Sequence, residues 1–331
     1  MSAQDTITGD QQTRAGALRL AHARTTGQFV GCARDILDRA NHVALDTDRL
    51  TALEERIQTA EPVSWDWLLS DPDGDIQETA LDFALFAAPN GGYFHADAAG
   101  EVVQWAEDGS GARALESWFK TLRATSKLPG RDITDPNHAR DALASDVAGL
   151  PYAEARLEIA AEFADPGRRA ALEALIDGTR SHTGQHVFRL DHADRLARIF
   201  PTGFGDDPFR KKAALFFLFL HGHLHHRGHP AVFDLPVPSD YQLPRILEYL
   251  GAIRISDAFR RELRHGTRLL DVTSAPVVEY RAAAIVCADL LRQATGQPTS
   301  VIDSALFIPF RKDPDFLKNS LPPMRCDTLW F

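Results

Sequence analysis

The sequence predicts a mainly helical protein with a small α/β portion near its N-terminus. Two observations lead to this. From residue 152 onward, apolar residues recur at three- and four-residue steps, the spacing of a helix with one buried face. Upstream, the stretch 79–105 breaks that rhythm. Leu81, Phe83 and Leu85 alternate with Asp82 and Ala84, then Pro89-Asn90-Gly91-Gly92 leads into Tyr93-Phe94-His95. Two apolar runs around such a turn predict a hairpin or short sheet, with a helix up to Ala88 as the competing reading.

Taken in order, residues 1–15 read as a disordered tail. A helix is expected from Leu18 to Ala40, through Phe29, Val30, Ala33, Ile36 and Leu37. Asp46 or Thr47 caps a second one running through Leu50, Leu53 and Ile57. Residues 112–124 form an amphipathic helix through Leu115, Trp118, Phe119 and Leu122. The loop-rich stretch 125–150, with Pro129-Gly130 and Asp135-Pro136, is the expected seam. It separates an N-terminal portion, 16–135, from a helical portion, 136–331, the two sharing a cleft. Helices are expected at 152–163, 166–177, 186–199, 208–226, 244–250, 256–265, 276–294 and 300–308. Pro208, Pro244 and Pro276 each sit where a first turn would begin, where a missing N–H costs nothing.

The chain has 331 residues, with 36 Lys and Arg against 46 Asp and Glu, a net charge of −10. That balance argues against broad binding of polyanionic duplexes, which needs a basic face, but allows a local basic pocket for one phosphate. Cys32, Cys287 and Cys326 are far apart and form no CxxC, which argues against a disulfide framework or a Cys-based zinc site. The start is polar and the longest apolar run, Ala213 to Leu220, is far short of the ~20 residues of a membrane span. A soluble cytoplasmic protein is expected, without membrane contact or stable nucleic acid; its oligomeric state is open. There is no Walker A motif and no GxGxxG.

Several segments carry candidate chemistry. Asp240, in Pro238-Ser239-Asp240-Tyr241-Gln242-Leu243-Pro244, lies just ahead of a helix expected to start at Pro244. That suits a carboxylate aimed into a cleft; an N-terminal cap is the plainer reading. The helix 276–294 carries Glu279, Arg281 and Asp289 in an apolar run. Glu279 and Arg281 are two apart and point in different directions, so each needs its own partner, a ligand or solvent. The cluster His221-Gly222-His223-Leu224-His225-His226-Arg227-Gly228-His229 pairs His221 with His225 at helical spacing. It lacks the acid of an HExxH motif, so a solvated helix end rich in cationic His is favoured over a metal site. In Asp206-Asp207-Pro208-Phe209-Arg210-Lys211-Lys212, Asp206 or Asp207 caps a helix that starts at Pro208, or Lys211 or Lys212 meets a phosphate. Ser300 and Asp303 form a capping-box pattern. The aromatic end, Trp330-Phe331, is expected to dock on the body and bring Arg325 to a pocket.

In this order, these segments resemble the queuosine-salvage family of queuosine 5′-phosphate N-glycosylases. Ser239-Asp240-Tyr241-Gln242-Leu243-Pro244-Arg245 is similar to the family's A-D-Y-R-V-P-Q, and Glu279-Tyr280-Arg281-Ala282 to its E-I-R-A. Ile302-Asp303 with Leu306-Phe307 resembles I-D-x-x-L-W, and Met324-Arg325 through Phe331 its basic, aromatic C-terminus. Upstream, Phe204-Gly205-Asp206, Phe209-Arg210-Lys211-Lys212-Ala213, Leu81-Asp82-Phe83 with Phe86, and Asn41-His42-Val43 follow F-R-D, F-Y-K-R-A, L-N-F-x-F-W and S-x-H-V. No single motif is specific; the ordered set is. The chain departs at Asp82, where the family has Asn, at Ser239 and Gln242, at Phe219, where it has an acid, and at 221–229, where it has a Gly-rich loop.

The resemblance implies a helical fold similar to helix-hairpin-helix DNA glycosylases. It implies hydrolysis of the N-glycosidic bond of queuosine 5′-phosphate, or of a related 7-deazapurine nucleotide, to queuine and ribose 5-phosphate. No cofactor and no metal are implied, and the partner is a small-molecule nucleotide. Asp240 is implied as the catalytic carboxylate. Phe83 and Phe86 would flank the base, and Asp82, Glu279 or Asp303 would pair with its polar edge. Lys211, Arg281 or Arg325 would hold the phosphate, and His42, Asp206 and Tyr241 complete the substrate-binding set. The competing readings are a non-catalytic deazapurine-binding protein, a metal-dependent hydrolase using 221–229 and, less favoured, a DNA glycosylase.

Overall fold

A computed structural model describes residues 9–330 except 72, 98, 108–109 and 230. The chain is mainly helical. In order, the elements are α1 (Gly9–His22), α2 (Thr26–Leu37), β1 (Val43–Leu45), α3 (Thr47–Thr51), α4 (Glu54–Gln58), α5 (Ile76–Ala87), β2 (Phe94–Ala96), β3 (Val102–Gln104) and α6 (Gly111–Ala124). Then come α7 (Pro136–Val147), α8 (Ala153–Phe163), α9 (Pro166–Asp177), β4 (Val187–Arg189), α10 (Leu190–Ile199), α11 (Pro201–Phe204) and α12 (Lys211–His226). The chain ends with β5 (Val232–Asp234), α13 (Gln242–Tyr249), β6 (Ile253–Ile255), α14 (Asp257–His265), α15 (Ala275–Thr295), α16 (Thr299–Phe310) and α17 (Pro314–Asn319).

Contacts divide the chain into two units. The first joins Met1–Glu61 to Ser239–Cys326, and the second joins Pro62–Pro238 to Asp327–Phe331. The stretch 125–150 lies inside the second. In the first unit, α15 is the central helix, packed by α1, α2, α4, α13 and α16. It is buried along most of its length because apolar residues surround it on every side, Val277, Val278, Ile285 and Leu291 among them. Gly296, at φ 72°, ends it in the left-handed conformation that glycine adopts without steric cost. Strands β1 and β6 pair antiparallel, Val43 opposite Ile255.

In the second unit α5 packs on α12 and α9, and α7 on α8. Asp75, Ser110, Asp135 and Asp165 cap α5, α6, α7 and α9 through their side-chain oxygens. Strands β2 and β3 form an antiparallel hairpin, and β4 and β5 a parallel pair. Gly222 lies buried in α12. A Cβ there would sit 2.0 Å from the Val63 carbonyl oxygen, so this glycine marks close packing and not a helix end.

The structure corrects several expectations. Of the expected tail, residues 1–8 lie outside the described residues, whereas 9–15 open α1. The single helix at 18–40 is two, because Thr25 accepts the Gln28 N–H and caps a new start. Residues 81–87 are helix, the competing reading. Their alternation is accidental, since α5 is buried all round and even Asp82 is inside. The hairpin begins only at Phe94. Asp135-Pro136 starts α7 in the stretch read as loop. Residues 187–189 are strand, held by pairing with β5 that local sequence does not encode. Helix α12 starts at Lys211, not Pro208, because Asp207 accepts the N–H groups of Phe209 and Lys211 and holds 208–210 in a turn. Helix α13 starts at Gln242. Pro244 is tolerated there because the first N–H groups of a helix have no intrahelical partner. The Ser300–Asp303 capping box does not form: Pro298 is the cap residue and Ser300 lies inside α16.

Gly222→Ala should cost about 1–3 kcal/mol of stability or more, because the Val63 backbone has to move. Urea denaturation of the variant checks this.

Candidate active site

The predicted site residues fall into both units. His42, Asp240, Tyr241, Glu279, Arg281, Asp303 and Arg325 belong to the first; Asp82, Phe83, Phe86, Asp206 and Lys211 belong to the second.

In the first unit, α15 positions two buried charges. Glu279 is fully buried, and its carboxylate accepts the N–H of His42 at 2.8 Å and of Asn41 at 3.4 Å. Burial pushes its pKa up; those backbone donors pull it down by less. His42 is therefore brought to Glu279 through its backbone, and its carbonyl accepts the Ser256 N–H at 2.8 Å. Arg281 is 1% exposed. Its Nε donates to the Ser239 carbonyl at 2.9 Å, and the Ser239 hydroxyl donates back to the Arg281 carbonyl at 2.9 Å. Thus the two charges that sequence reading left seeking separate partners bind two different backbone segments.

Arg281 fixes the loop that carries Asp240. Asp240 is half-buried, and its Oδ1 accepts the Gln242 N–H at 2.6 Å, at the entry to α13. Its carboxylate therefore caps, as the plainer reading expects. It does so on a segment clamped from one side by α15 and on the other by its own helix. Tyr241 follows, buried. Asp303 is buried on α16. Arg325 donates to the Gly266 carbonyl, while its own carbonyl accepts the Leu270 N–H.

In the second unit, Asp82 is fully buried and binds Arg131 Nε at 2.7 Å and the Ser70 N–H at 2.6 Å. Burial raises its pKa against these contacts. Phe83 and Phe86 lie in an aromatic cluster with Phe219, at centroid distances of 5.5 and 6.2 Å. Trp65 and Phe119 extend it. Phe219, where the family has an acid, thus supplies ring surface to that core. Lys211 Nζ donates to Asn90, to Oδ1 at 2.8 Å and to the carbonyl at 3.1 Å. Asp206 is exposed, in a left-handed conformation with φ 65°.

The His-rich segment is not the solvated end expected of it. His221 and His223 are buried; His225 and His226 are exposed. His223 Nδ1 meets Asp66 at 2.8 Å, and the His226 ring meets the Pro62 carbonyl at 2.8 Å. Because His221 and His225 differ in burial, the pair does not offer one open face. Among the described residues no three His, Cys, Asp or Glu side chains converge as a metal site requires. Sequence reading missed two cations: Arg131, half-buried in the loop between α6 and α7, and Arg156, buried on α8.

Comparison with known families fits this arrangement. Residues 220–307 match the family model described as queuosine salvage protein. The match supports assignment of the chain to the queuosine-salvage family. It covers Asp240, Tyr241, Glu279, Arg281 and Asp303, and it supports a role in queuosine salvage. No curated protein matches the chain. Among the described residues, no helix is long and apolar enough to cross a membrane.

Two outcomes follow. Ser239→Ala should cost about 1 kcal/mol, measured by denaturation, because the Arg281 carbonyl loses its hydroxyl donor. Burial lowers the His221 pKa from 6.5 to about 4. Between those values the unfolded chain binds a proton that the folded chain refuses, so stability falls as pH drops from 6.5 toward 4. His221→Gln should flatten that part of the stability profile by up to about 3 kcal/mol.

Proposed function

We propose that the chain hydrolyses the N-glycosidic bond of queuosine 5′-phosphate, or of a related 7-deazapurine nucleotide. The products are queuine and ribose 5-phosphate, and Asp240 is the catalytic carboxylate. The observation that carries this reading is the clamped Ser239–Asp240 segment: Arg281 holds its backbone, Gln242 holds its carboxylate, and the family match runs through all of them.

The chemistry explains why a fixed acid is needed. A 7-deazaguanine has carbon where guanine has N7, so protonating that position to help the base leave is closed. The C1′–N9 bond must break with positive charge growing on the ribose, as in glycosidases. A carboxylate held beside C1′ stabilises that charge, and it does so best when no reorganisation is required at the moment of reaction. Water then attacks C1′. Asp240 accepts the water's proton, and the departing base takes up a proton in exchange for the bond it loses. A backbone pinned by a buried guanidinium supplies the required rigidity. The partner is a free nucleotide, not a polynucleotide, in keeping with the net charge of −10.

Asp240→Asn should fold normally, since an amide oxygen still accepts the Gln242 N–H, and base release should drop by about 10²–10⁴-fold. Mass spectrometry of free base from queuosine 5′-phosphate measures it. Turnover at the wild-type rate removes Asp240 from the mechanism.

A further inference from the structure

We propose that Arg245 is a positioning residue for Asp240: through Gln242 and the segment after α17, it sets where the first turn of α13 lies and so where the carboxylate is held. The catalytic consequence rests on the glycosylase reading; the geometry lies within the first unit alone. Nothing in that reading assigns a role to Arg245.

Helix α13 has eight residues and an unusual start. Its N-cap residue, Tyr241, makes no side-chain capping bond, and Pro244 in the first turn has no N–H to give. Asp240 Oδ1 takes the Gln242 N–H at 2.6 Å, so the acid and the helix start move together. Arg245 holds that start from the other side. It is 8% exposed and spreads its guanidinium over three acceptors. Nη1 donates to Gln242 Oε1 at 3.3 Å, Nη2 to Ser320 Oγ at 2.7 Å and Nε to the Leu321 carbonyl at 2.5 Å. Its face lies on the Phe316 ring, 4.7 Å from the centroid. Phe316 packs in turn against Tyr249 of α13 and Phe310 of α16, at 5.3 and 5.4 Å between centroids. The residue whose N–H holds Asp240 thus has its own side chain held by Arg245, and Arg245 is fixed by a hydroxyl, a carbonyl and a ring.

All three acceptors are neutral, and among the described residues no carboxylate pairs with Arg245. A buried guanidinium in neutral company is costly, and an apolar side chain of similar size would pack α13 on α16 and α17 as well. What the guanidinium adds is direction. Its donors lie in one plane and fix Gln242 relative to Ser320 and Leu321, which a point charge or a methyl group does not do. A carboxylate beside a forming ribose cation needs such definition, because a misplacement of about an ångström can cost about a hundredfold in rate. Arg281 grips this loop one residue before the acid, at Ser239, and Arg245 grips it two residues after, at Gln242. Asp240 is therefore braced on both sides by guanidinium groups from different helices, α15 and α13.

A double-mutant cycle on base release from queuosine 5′-phosphate tests this. Arg245→Met, folded by circular dichroism, should lower kcat about ten- to hundredfold and leave KM within about twofold, since a stray carboxylate weakens the transition state and not the bound nucleotide. In the Asp240→Asn background the same substitution should change kcat by less than about twofold, because a residue acting through that carboxylate has nothing left to place. Equal losses in the two backgrounds mark plain structural damage and overturn the proposal, as does wild-type kcat in folded Arg245→Met. Should that variant not fold, Arg245→Lys takes its place: it keeps the cation, loses the fork, and is expected to show the same pattern. Amide exchange by NMR gives a reading that needs no turnover. The Gln242 N–H should exchange about tenfold faster in the Arg245 variant than in wild type, while amides in the middle of α15 keep their protection. Unchanged Gln242 exchange overturns the proposal. Faster exchange with no base release by wild type removes the glycosylase reading and leaves Arg245 as the residue that holds Asp240 in place.

Discussion

Buried cations that grip backbone carbonyls are the constraint on which the irregular parts of this protein depend. A guanidinium does not lose its charge at any ordinary pH, so once inside it has to bond. In the first unit Arg281 binds the Ser239 carbonyl, and Arg245 binds the Leu321 carbonyl while stacking on Phe316. In the second, Arg156 gathers the carbonyls of Pro89, Gly91 and Gly92, and Lys212 takes that of Ala88. These segments lie at or beyond the ends of helices and outside the strands. A carbonyl held by a buried cation cannot drift without stranding a charge, which costs several kcal/mol. The loops thereby acquire the definition of regular structure without its hydrogen-bond ladder.

For Asp240, the carboxylate of the proposed reaction, this means that position is set from behind. The carboxylate is reached through Ser239, whose carbonyl and hydroxyl both face Arg281 on the most buried helix of its unit. A group that steadies a developing cation loses much of its value if it moves by even an ångström. Helix α15 is thus both core and positioning device. Its apolar residues hold the helix, and the helix holds the loop. Glu279, two residues before Arg281, performs the matching task for the N–H groups of residues 41 and 42.

How far the sequence reveals this depends on the range of the interaction. Caps such as Asp165 and Ser256 are local, and the helices they start lie close to their expected limits, at 166–177 and 256–265. Long-range competition is not legible. Strand β4 sits inside a segment with helical spacing because β5, over forty residues on, pairs with it. Ser300 matches a capping box, but Pro298 takes that place. At the site, the order of motifs pointed to Ser239–Asp240 and Glu279–Arg281, and the need of each buried charge for its own partner followed from their two-residue spacing. Which partner each found did not, because Ser239 and Arg281 are 42 residues apart. Arg156 and Lys212 show the same limit. Burial of a basic residue is decided by what packs on it, and an alanine-rich helix gives no sign of that.

Asp207 and Asp240 show what coordinates add to a pattern. Both are acids just ahead of a helix, both accept the N–H two residues on, and from sequence both earn the same capping reading. Asp207 is buried, and its two oxygens go to the N–H groups of Phe209 and Lys211. Such a carboxylate is consumed by the turn it makes. Asp240 gives Oδ1 to Gln242 and keeps solvent access, on a backbone braced from the core. The distinction rests on accessibility and on the brace, and neither is written in the seven residues around the acid.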